Sequence, residues 1–417
     1  MAARTAPIGF IADDITGATD LASALAGRGI DTRLVFGSAA MPADGGEAIV
    51  VALKIRSIPA SEARDAALRA AHALRAAGVT QFFSKYCSTF DSTVDGNIGP
   101  IADALAELAG ARRVLHCPAY PANMRTVYMS HLFVGAELLS ESSMRNHPLN
   151  PMRDSQLVRV LASQTPHHVG AVPWTVVNAG PDALAAQLPR ATGEEVEIQH
   201  LIADAVSETD LDTLAAAVAS DYLAAGSAPF GAAFAVAALA REGAASPSAS
   251  ARERVPPGPT AILAGSLSRA TAEQVKAFDG RAVVLHLDDV RDAAAVERAL
   301  EAVVPALGQH PLLIAIEHNE DHEGPTGGSP ELSARIEQTM GRLGAGLVKV
   351  GVRRLIVAGG ETSGAVAAAL DLRSARIGPD ISVGVPWIVT EDLSIAFKSG
   401  NFGGPHFFQD ALEVADS

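Results

Sequence analysis

Cysteine is scarce in this sequence, whose 417 residues include only Cys87 and Cys117. Two thiols are too few for a disulfide framework, and so low a count is typical of chains that fold in a reducing compartment. We therefore predict that both cysteines are free. Cys87 lies among polar residues, but no motif supplies a base to activate it, so we interpret it as a packing residue rather than a nucleophile.

Long apolar runs are missing as well. The amino-terminal residues have no stretch of signal-peptide length before Asp13 and Asp14 interrupt it. The most apolar window, 228–240, is 13 residues long, whereas a helix that crosses a bilayer needs about 20. These absences predict a soluble, cytoplasmic protein.

Positive charge is in short supply, since 32 Lys and Arg residues face 47 Asp and Glu residues and the formal net charge is −15. Nucleic acids and anionic membrane surfaces demand basic patches, so neither is expected as a partner. A small anionic ligand remains compatible with this balance if basic side chains are concentrated locally.

Short apolar strands alternate with amphipathic helical segments in both halves of the chain. The length exceeds what a single core usually supports, so we predict an α/β protein of two domains, each a mostly parallel sheet with flanking helices. Residues 243–259, rich in Ala, Ser and Pro, are the best linker candidate, which predicts domains at 1–242 and 260–417. In the first half we predict strands at 7–12, 48–53, 79–83 and 113–117 and a helix at 61–77, with further signals up to 210–225. In the second half we predict strands at 260–264, 282–287, 312–316 and 354–358, with helices at 270–278, 292–307 and 331–350.

The stretch 117–155 breaks this alternation and reads as long, irregular and polar. Long unpatterned segments in compact domains are often binding loops or lids. It contains Arg125, Arg145, His147 and Arg153, which could provide the local positive charge that the acidic average conceals. Solvated surface charge is the equally weighted alternative.

A polar run, KYCSTFDSTVDGNIG at 85–99, joins the carboxyl end of a predicted strand to the amino end of a predicted helix. In open α/β sheets ligands bind at this edge, where helix amides and the macrodipole favour an anion. An ordinary polar loop is the alternative, but loops of that kind are usually short, so we favour a ligand site. The candidate residues are Lys85, Ser88, Asp91, Ser92, Thr93, Asp95 and Asn97.

An acidic turn, DDITGATD at 13–20, follows the first strand and begins a helix. Asp13, Asp14 and Asp20 could accept hydrogen bonds from ligand hydroxyls, bind Mg²⁺ or act as a general base. Capping of the helix by one aspartate and solvation of the others is the less favoured interpretation.

Three glycine-rich turns lie in the second half. AGSLSRAT at 264–271 and AGGETSGAV at 358–366 each follow a predicted strand, and KSGNFGG at 398–404 is a third turn, which carries a cation. Glycines permit close backbone approach and helix amides can hold phosphate oxygens, so together the turns suggest a nucleotide, although none is a Walker P-loop. A nicotinamide dehydrogenase is disfavoured, because neither half carries G-x-G-x-x-G after its first strand. HNEDHE at 318–323 has metal-like spacing but is predicted to be a loop, so a structural metal there is not favoured.

These motifs, together with PAYPANMR at 118–125 and HPLNPMRDS at 147–155, resemble the four-carbon acid sugar kinases over nearly the whole chain and in the same order. KYCSTFDST and HPLNPMRDS are most similar to the 3-oxo-tetronate kinase branch, and Val94-Asp95-Gly96 stands where threonate and erythronate kinases carry Leu-Arg-Gly. The resemblance implies an amino-terminal acid-binding domain, a carboxyl-terminal nucleotide domain, a site in the interdomain cleft, and ATP-dependent phosphorylation of a 4-hydroxyl. Nucleotide contacts are implied for Ser266, Gly360, Glu361, Thr362, Ser363, Gly400 and Gly403.

We expect direct in-line phosphoryl transfer, in which catalysis is mostly positioning and charge neutralisation. Asp14 would orient or deprotonate the acceptor hydroxyl, with Asp13 as the alternative, and Lys398 would neutralise charge on the transferred group while Mg²⁺ bridges the phosphates. The expected substrate-binding residues are Asp20, Lys85, Asp91, Ser92, Asn97, Arg125 and His147, with Lys85 and Arg125 holding the carboxylate. D-Threonate or D-erythronate as the acceptor, and a non-catalytic ligand-sensing protein, are the alternatives. Assembly into a homo-oligomer stays open.

Overall fold

The computed structural model describes residues 6–37, 41–42, 46–147, 149–188, 197–218, 222–243, 252–286, 294–316 and 330–417. The chain forms two compact units, Met1–Ser250 and Ala251–Ser417. Residues 244–251 of the predicted linker and the HNEDHE motif lie outside the described residues, and the boundaries at 242 and 260 stay predictions. Within the described residues, no helix is both long enough and apolar enough to cross a membrane.

The first unit contains an eight-stranded sheet in the order β2-β3-β1-β4-β11-β5-β10-β9, and every pairing in it is parallel. Every residue of its strands at 8–12, 48–52 and 113–117 is buried, and the first two of these strands are continuous apolar runs, as expected when helices cover both faces. The strands of this unit are β1 (Ile8–Ala12), β2 (Thr32–Phe36), β3 (Ala48–Ala52), β4 (Gln81–Lys85), β5 (Arg113–Cys117), β6 (Arg125–Tyr128), β7 (His131–Val134), β8 (Glu137–Leu138), β9 (His168–Val172), β10 (Gln199–Ala203) and β11 (Tyr222–Gly226).

Helices of the first unit pack on this sheet through faces rich in alanine. The helix at 60–76, for example, buries Ala63, Ala67 and Leu74 at helical spacing. The α-helices are α1 (Ile15–Gly27), α2 (Ala60–Ala76), α3 (Ile98–Ala109), α4 (Leu157–Ala162), α5 (Trp174–Val177), α6 (Pro181–Gln187), α7 (Glu208–Ala217) and α8 (Ala228–Arg241), and short 3₁₀ helices cover Pro121–Asn123 and Ser143–Asn146.

The prediction that the stretch 117–155 is irregular is wrong, because part of it forms regular strands. Strands β6, β7 and β8 form a separate antiparallel sheet. They have four, four and two residues, too few for a recognisable period of two. The turn between β6 and β7 holds Met129 and Ser130 at φ of 49° and 59°, where a sequence signal would require Asn or Gly. The Asp204 carboxylate accepts hydrogen bonds from both of their amides, at 2.7 and 2.8 Å, and so stabilises the turn from outside it.

The second unit contains a sheet in the order β13-β14-β12-β15-β18-β17-β16. The first five strands are parallel, β17 pairs antiparallel with β18, and β16 pairs antiparallel with β17. The elements are β12 (Thr260–Ala264), β13 (Arg281–Leu285), β14 (Leu312–Ile316), β15 (Arg354–Ala358), β16 (Ser374–Ser382), β17 (Val385–Val389) and β18 (Ser394–Lys398), with α9 (Arg269–Ala277), α10 (Ala295–Val303), α11 (Pro330–Lys349), α12 (Gly360–Ala369), α13 (Phe407–Asp416) and a 3₁₀ helix at Val304–Ala306.

The predicted fold class is confirmed, since both units are α/β with mostly parallel sheets. The predicted strands 113–117, 260–264, 312–316 and 354–358 match β5, β12, β14 and β15. The signal at 210–225 merges two elements, because α7 ends in a run of alanine and β11 also contains alanine. Strands β2, β16, β17 and β18 and helix α13 were not predicted.

Candidate active site

The carboxyl edge of the first sheet brings Asp13 and Lys85 together. Strand β1 lies between β3 and β4, with Ala12 opposite Ala52 on one side and Lys85 on the other. The Asp13 amide donates to the Lys85 carbonyl at 3.1 Å, and the Asp13 carbonyl accepts from the amide of Ile55 at 2.9 Å. Residues that follow three neighbouring strands therefore converge at this edge.

An arginine that the sequence analysis missed organises the acidic turn. Arg56 donates from Nε and Nη2 to the two oxygens of the Asp13 carboxylate, both at 2.8 Å, and from Nη2 to Asp14 at 2.6 Å. Its Nη1 lies 3.8 Å from a carboxylate oxygen of Asp91. The available signal was its place just after the predicted strand 48–53, at the same sheet edge as Asp13.

The two adjacent aspartates are in different electrostatic environments. Burial raises the pKa of Asp13, and Arg56 opposes that rise without cancelling it. Burial acts in the same direction on Asp14, but Arg56 and Lys85, with hydrogen bonds from Thr16 and Gly17, outweigh it and lower the pKa of Asp14. Asp14 is also the N-cap of α1, since its carboxylate accepts from the Gly17 amide at 2.9 Å.

The loop at 85–99 lies beside these carboxylates. Lys85 is buried, with 3% of its surface exposed, and Nζ donates to the carbonyl of Tyr86 at 2.8 Å. A Cβ on Gly17 would lie 2.8 Å from Nζ, so glycine there leaves the room that the ammonium needs. Asn97 donates from Nδ2 to the carbonyls of residues 55, 56 and 58 at 2.7 to 3.1 Å, while its buried Oδ1 has no partner among the described residues.

These side chains line one pocket of the first unit. Its polar lining consists of Asp13, Arg56, Ser84, Lys85, Tyr86, Asp91, Ser92 and Asn97, and its apolar lining of Ile11, Ile55, Ile98 and Ile101. Two cations, two carboxylates and an unsatisfied amide oxygen suit a small ligand that carries both a negative charge and hydroxyl groups.

Three other expected ligand residues are not part of that lining in the described structure. Asp20 accepts a hydrogen bond from the hydroxyl of Tyr120 at 3.0 Å. Arg125, on β6, donates to the carbonyl of Asn123 at 2.8 Å. His147 accepts from the amide of Asn150 at 3.1 Å. Their roles in substrate binding stay predictions.

Both cysteines are free, as predicted. Burial raises the pKa of Cys87 to about 12 and that of Cys117 to about 12. A thiol that stays protonated at neutral pH is a poor nucleophile, which agrees with the interpretation of Cys87 as a packing residue.

Four polar side chains form a chain behind the pocket. The Tyr86 hydroxyl lies 3.3 Å from Nδ1 of His116, Nε2 of His116 lies 2.9 Å from Nδ1 of His200, and Nε2 of His200 lies 2.8 Å from Asp103. Burial, with a contribution from His200, holds the pKa of His116 well below its usual value. The backbone carbonyl of Tyr86, the first residue of this chain, accepts the hydrogen bond from Lys85.

In the second unit the three glycine-rich turns follow β12, β15 and β18, which are adjacent strands. The amides of Gly265 and Ser266 donate to the Ala358 carbonyl at 3.1 and 3.2 Å, and the Gly359 amide donates to the Lys398 carbonyl at 2.7 Å. A Cβ on Gly400 would clash with the hydroxyl of Ser266. The turns are therefore packed against one another as one surface.

The predicted nucleotide residues all belong to these three turns or to the first turn of α12, where Thr362 and Ser363 are buried. Thr362 and Ser363 are in the first turn of α12, where Ser363 Oγ donates to the Gly359 carbonyl at 2.7 Å. A Cβ on Gly360 would meet no atom within 4 Å, so the space in front of it is open. Open space before the amides of a helix amino terminus suits phosphate oxygens.

Among the described residues no group of three or more His, Cys, Asp or Glu side chains could hold a metal. Mg²⁺ commonly needs only one or two carboxylates besides phosphates and water, and Glu361 lies at the amino terminus of α12 beside Gly360.

Sequence comparison assigns a domain family to each unit. A sugar-binding N-terminal domain family matches residues 8–234, and a nucleotide-binding C-terminal domain family matches residues 261–408. The class is therefore a two-domain protein that binds a sugar-type ligand and a nucleotide. The chain belongs to the four-carbon acid sugar kinase family.

Curated relatives and solved structures match over almost the full length. The 3-oxo-tetronate kinase of Burkholderia multivorans is 43% identical over 424 residues, which cover 98% of this chain and 97% of the relative. That of Brucella melitensis is 40% identical over 422 residues, covering 98% and 96%. A Salmonella typhimurium LT2 protein, described as a candidate tRNA synthase, has a TM-score of 0.82 at 35% identity, with coverage of 97% and 98%. A Haemophilus influenzae protein has a TM-score of 0.75 at 36% identity, with coverage of 98% and 100%.

Proposed function

We propose that this protein is an ATP-dependent kinase that phosphorylates the 4-hydroxyl of a four-carbon sugar acid, with a 3-oxo-tetronate as the acceptor. The names of the curated relatives support the acceptor. The observation that carries the chemistry is the buried Asp13 carboxylate, which lines the pocket beside Arg56 and Lys85. An acceptor hydroxyl needs a carboxylate within hydrogen-bond reach, and an acid needs a cation nearby.

The pocket suggests how the acid is held. The Lys85 ammonium donates one hydrogen bond within the described structure, which leaves donors for the substrate carboxylate. The unpartnered Oδ1 of Asn97 is suited to accept from a substrate hydroxyl, because an unsatisfied buried oxygen costs free energy until a donor reaches it. Asp91 and Ser92 complete the polar wall.

The geometry favours Asp13 over Asp14 as the group that orients or deprotonates the hydroxyl. Asp13 lines the pocket and has a raised pKa, which brings it closer to the working pH of a general base. Asp14 has a lowered pKa, and its carboxylate already accepts hydrogen bonds from Gly17, Thr16 and Arg56. Asp14, the first choice from sequence, is then better placed to hold the helix and the arginine.

The nucleotide would bind at the three glycine-rich turns of the second unit. The amides at the start of α12 and the open space before Gly360 fit the phosphates. Magnesium, bound with the nucleotide, would offset phosphate charge, and Glu361 is the residue of this chain best placed to help hold it. The use of ATP favours the cytoplasm as the site of the reaction. Assembly into a homo-oligomer stays a prediction.

A coupled assay of ADP release tests the acceptor. The purified protein is offered 3-oxo-tetronates, D-threonate and D-erythronate at equal concentrations, with water as the background control. We expect the highest kcat/KM with a 3-oxo-tetronate. A preference for a non-oxidised acid would make the alternative acceptor correct, and nucleotide binding without turnover of any acid would favour a ligand-sensing protein.

Two isosteric variants test the base. Asp13→Asn should lower kcat by about 10²- to 10⁴-fold, the usual contribution of a general base, while the acid still binds. Asp14→Asn is the matched control, because it neutralises the neighbouring carboxylate of the same cluster. A larger loss of kcat in Asp14→Asn than in Asp13→Asn would reverse the assignment.

A further inference from the structure

A lysine is completely buried beneath the glycine-rich turns of the second unit. Lys398 ends β18, and none of its surface is exposed to solvent. Its Nζ donates to the hydroxyl of Thr271 at 3.1 Å, to the carbonyl of Ser399 at 3.0 Å and to that of Gly400 at 2.9 Å. The amine has two hydrogens when neutral and three when charged, and three acceptors surround it, so in either state none remains for a phosphate.

This cation has no carboxylate partner among the described residues. Its charged form meets two carbonyls, one hydroxyl and the face of the Phe407 ring, whose centroid is 5.8 Å away. Burying an ammonium without an opposite charge is costly. A core position could be filled at lower cost by methionine or leucine, so the cost indicates that the hydrogen bonds themselves are needed.

The groups that Lys398 holds belong to the nucleotide surface. Its Nζ contacts the turn after β18 directly and reaches α9 through Thr271, whose hydroxyl also donates to Gly400 at 3.0 Å. Ser268, the N-cap of α9, donates to the same Gly400 carbonyl at 2.7 Å. The backbone carbonyl of Lys398 accepts from the amide of Gly359, just before α12. One residue therefore ties together the ends of three adjacent strands.

We propose that Lys398 is a positioning residue that holds the three glycine-rich turns in the arrangement that binds the nucleotide, and does not itself contact the transferred phosphoryl group. The inference rests on the proposed nucleotide site and differs from the sequence-based expectation of direct charge neutralisation. If Lys398 shapes the whole surface, its loss weakens the binding of every nucleotide to the same extent. If it contacted the γ-phosphate, only ligands with that phosphate would be affected.

Calorimetric titrations with ADP and with a non-hydrolysable ATP analogue separate the two roles. In Lys398→Met we expect both dissociation constants to rise by a similar factor of about ten or more, equivalent to at least about 1.4 kcal/mol. In steady-state kinetics the KM for ATP should rise, while kcat at saturating ATP and the KM for the acid stay near wild-type values. Leu313→Ala, a cavity variant in β14 of the same unit, controls for general loss of stability and should bind ADP normally.

Thr271→Val removes one hydroxyl from this cluster with little change in shape, and keeps the test decisive if Lys398→Met does not fold. We expect it to weaken the binding of ADP and of the ATP analogue equally, by a smaller factor than Lys398→Met does. Unchanged ADP binding in Lys398→Met, or in Thr271→Val when only that variant folds, would overturn the inference. Selective loss of the ATP analogue, or a kcat that falls while ADP binding is retained, would overturn it in favour of direct contact. Failure of the wild-type protein to bind either nucleotide would instead overturn the proposed function and this inference with it.

Discussion

The pairing of Arg56 with the two aspartates can be tested through stability. Arg56 makes three charge-assisted hydrogen bonds to Asp13 and Asp14, at 2.6 to 2.8 Å, and the exposed fractions of the three side chains are only 11 to 18%. Removal of one partner from a buried ion pair typically costs about 3–5 kcal/mol, because a charge remains buried without compensation. We expect Arg56→Met to destabilise the first unit by an amount in this range.

A double-mutant cycle isolates the pair. Asp13→Asn removes the charge that Arg56→Met would leave uncompensated, so the double variant should be less destabilised than the sum of the single variants by about 2 kcal/mol. The protein has two tryptophans, Trp174 in the first unit and Trp387 in the second. In a Trp387→Phe background, urea unfolding followed by tryptophan fluorescence therefore reports on the first unit alone.

The pH dependence of the single variant provides the sharper result. Burial raises the pKa of Asp13 and Arg56 is the main group that opposes this, so the pKa should rise further in Arg56→Met. A carboxylate whose pKa is higher in the folded state binds protons on folding, so the stability deficit of the variant relative to wild type should grow as the pH rises above the unfolded value of 3.8. A deficit that is independent of pH, or single-variant effects that add within about 0.5 kcal/mol, would refute the assignment.

Three further predictions concern buried groups that the structure singles out. Burial lowers the pKa of Lys398 from 10.5 to about 7, so between those pH values the unfolded chain binds a proton that the folded chain does not. The unfolding free energy of wild type should therefore rise with pH relative to that of Lys398→Met, by up to about 1.4 kcal/mol per pH unit in that range. Parallel plots of unfolding free energy against pH for the two proteins would contradict this. The pKa of His116 is held well below 6.5 by burial and by His200, so wild type should lose stability as the pH falls below 6.5 and His116→Gln should lose less, as measured by thermal unfolding at pH 5 and pH 7. Gly400→Ala places a methyl group against the Ser266 hydroxyl and should weaken ADP binding, whereas Gly404→Ala, whose Cβ would meet nothing within 4 Å, is the matched control and should not.

Much of the fold could be predicted because several of its strands are short apolar runs and several of its helices carry a clear period. Strands such as β12 and β14 are five-residue runs in which every residue is buried, and such runs are visible without any tertiary information. The elements that were missed depend on their partners. The turn between β6 and β7 has no sequence signature, because the Asp204 carboxylate compensates for the unfavourable backbone of Met129 and Ser130.

The candidate site was only partly predictable for a similar reason. Motifs adjacent in sequence to Asp13, Lys85 and Gly360 identified the loops, since polar and glycine-rich turns after strands are local signals. Arg56 escaped notice because its function depends on Asp13, 43 residues earlier in the chain. Lys398 was noticed but given a different role, because a sequence does not report whether an ammonium faces a ligand or is buried beneath it.

The sequence by itself determined the class of fold, the family and the two sets of ligand-binding loops, because these follow from local periodicity and from short motifs. The tertiary structure decided which charges meet and at what cost. Asp13 and Asp14 are adjacent and chemically identical in the sequence, yet their pKa values shift in opposite directions, because burial prevails at Asp13. At Asp14, Lys85 and the hydrogen bonds from Thr16 and Gly17 add to the effect of Arg56 and together outweigh burial. Burial and distance set the strength of every electrostatic interaction, and both exist only once the chain has folded.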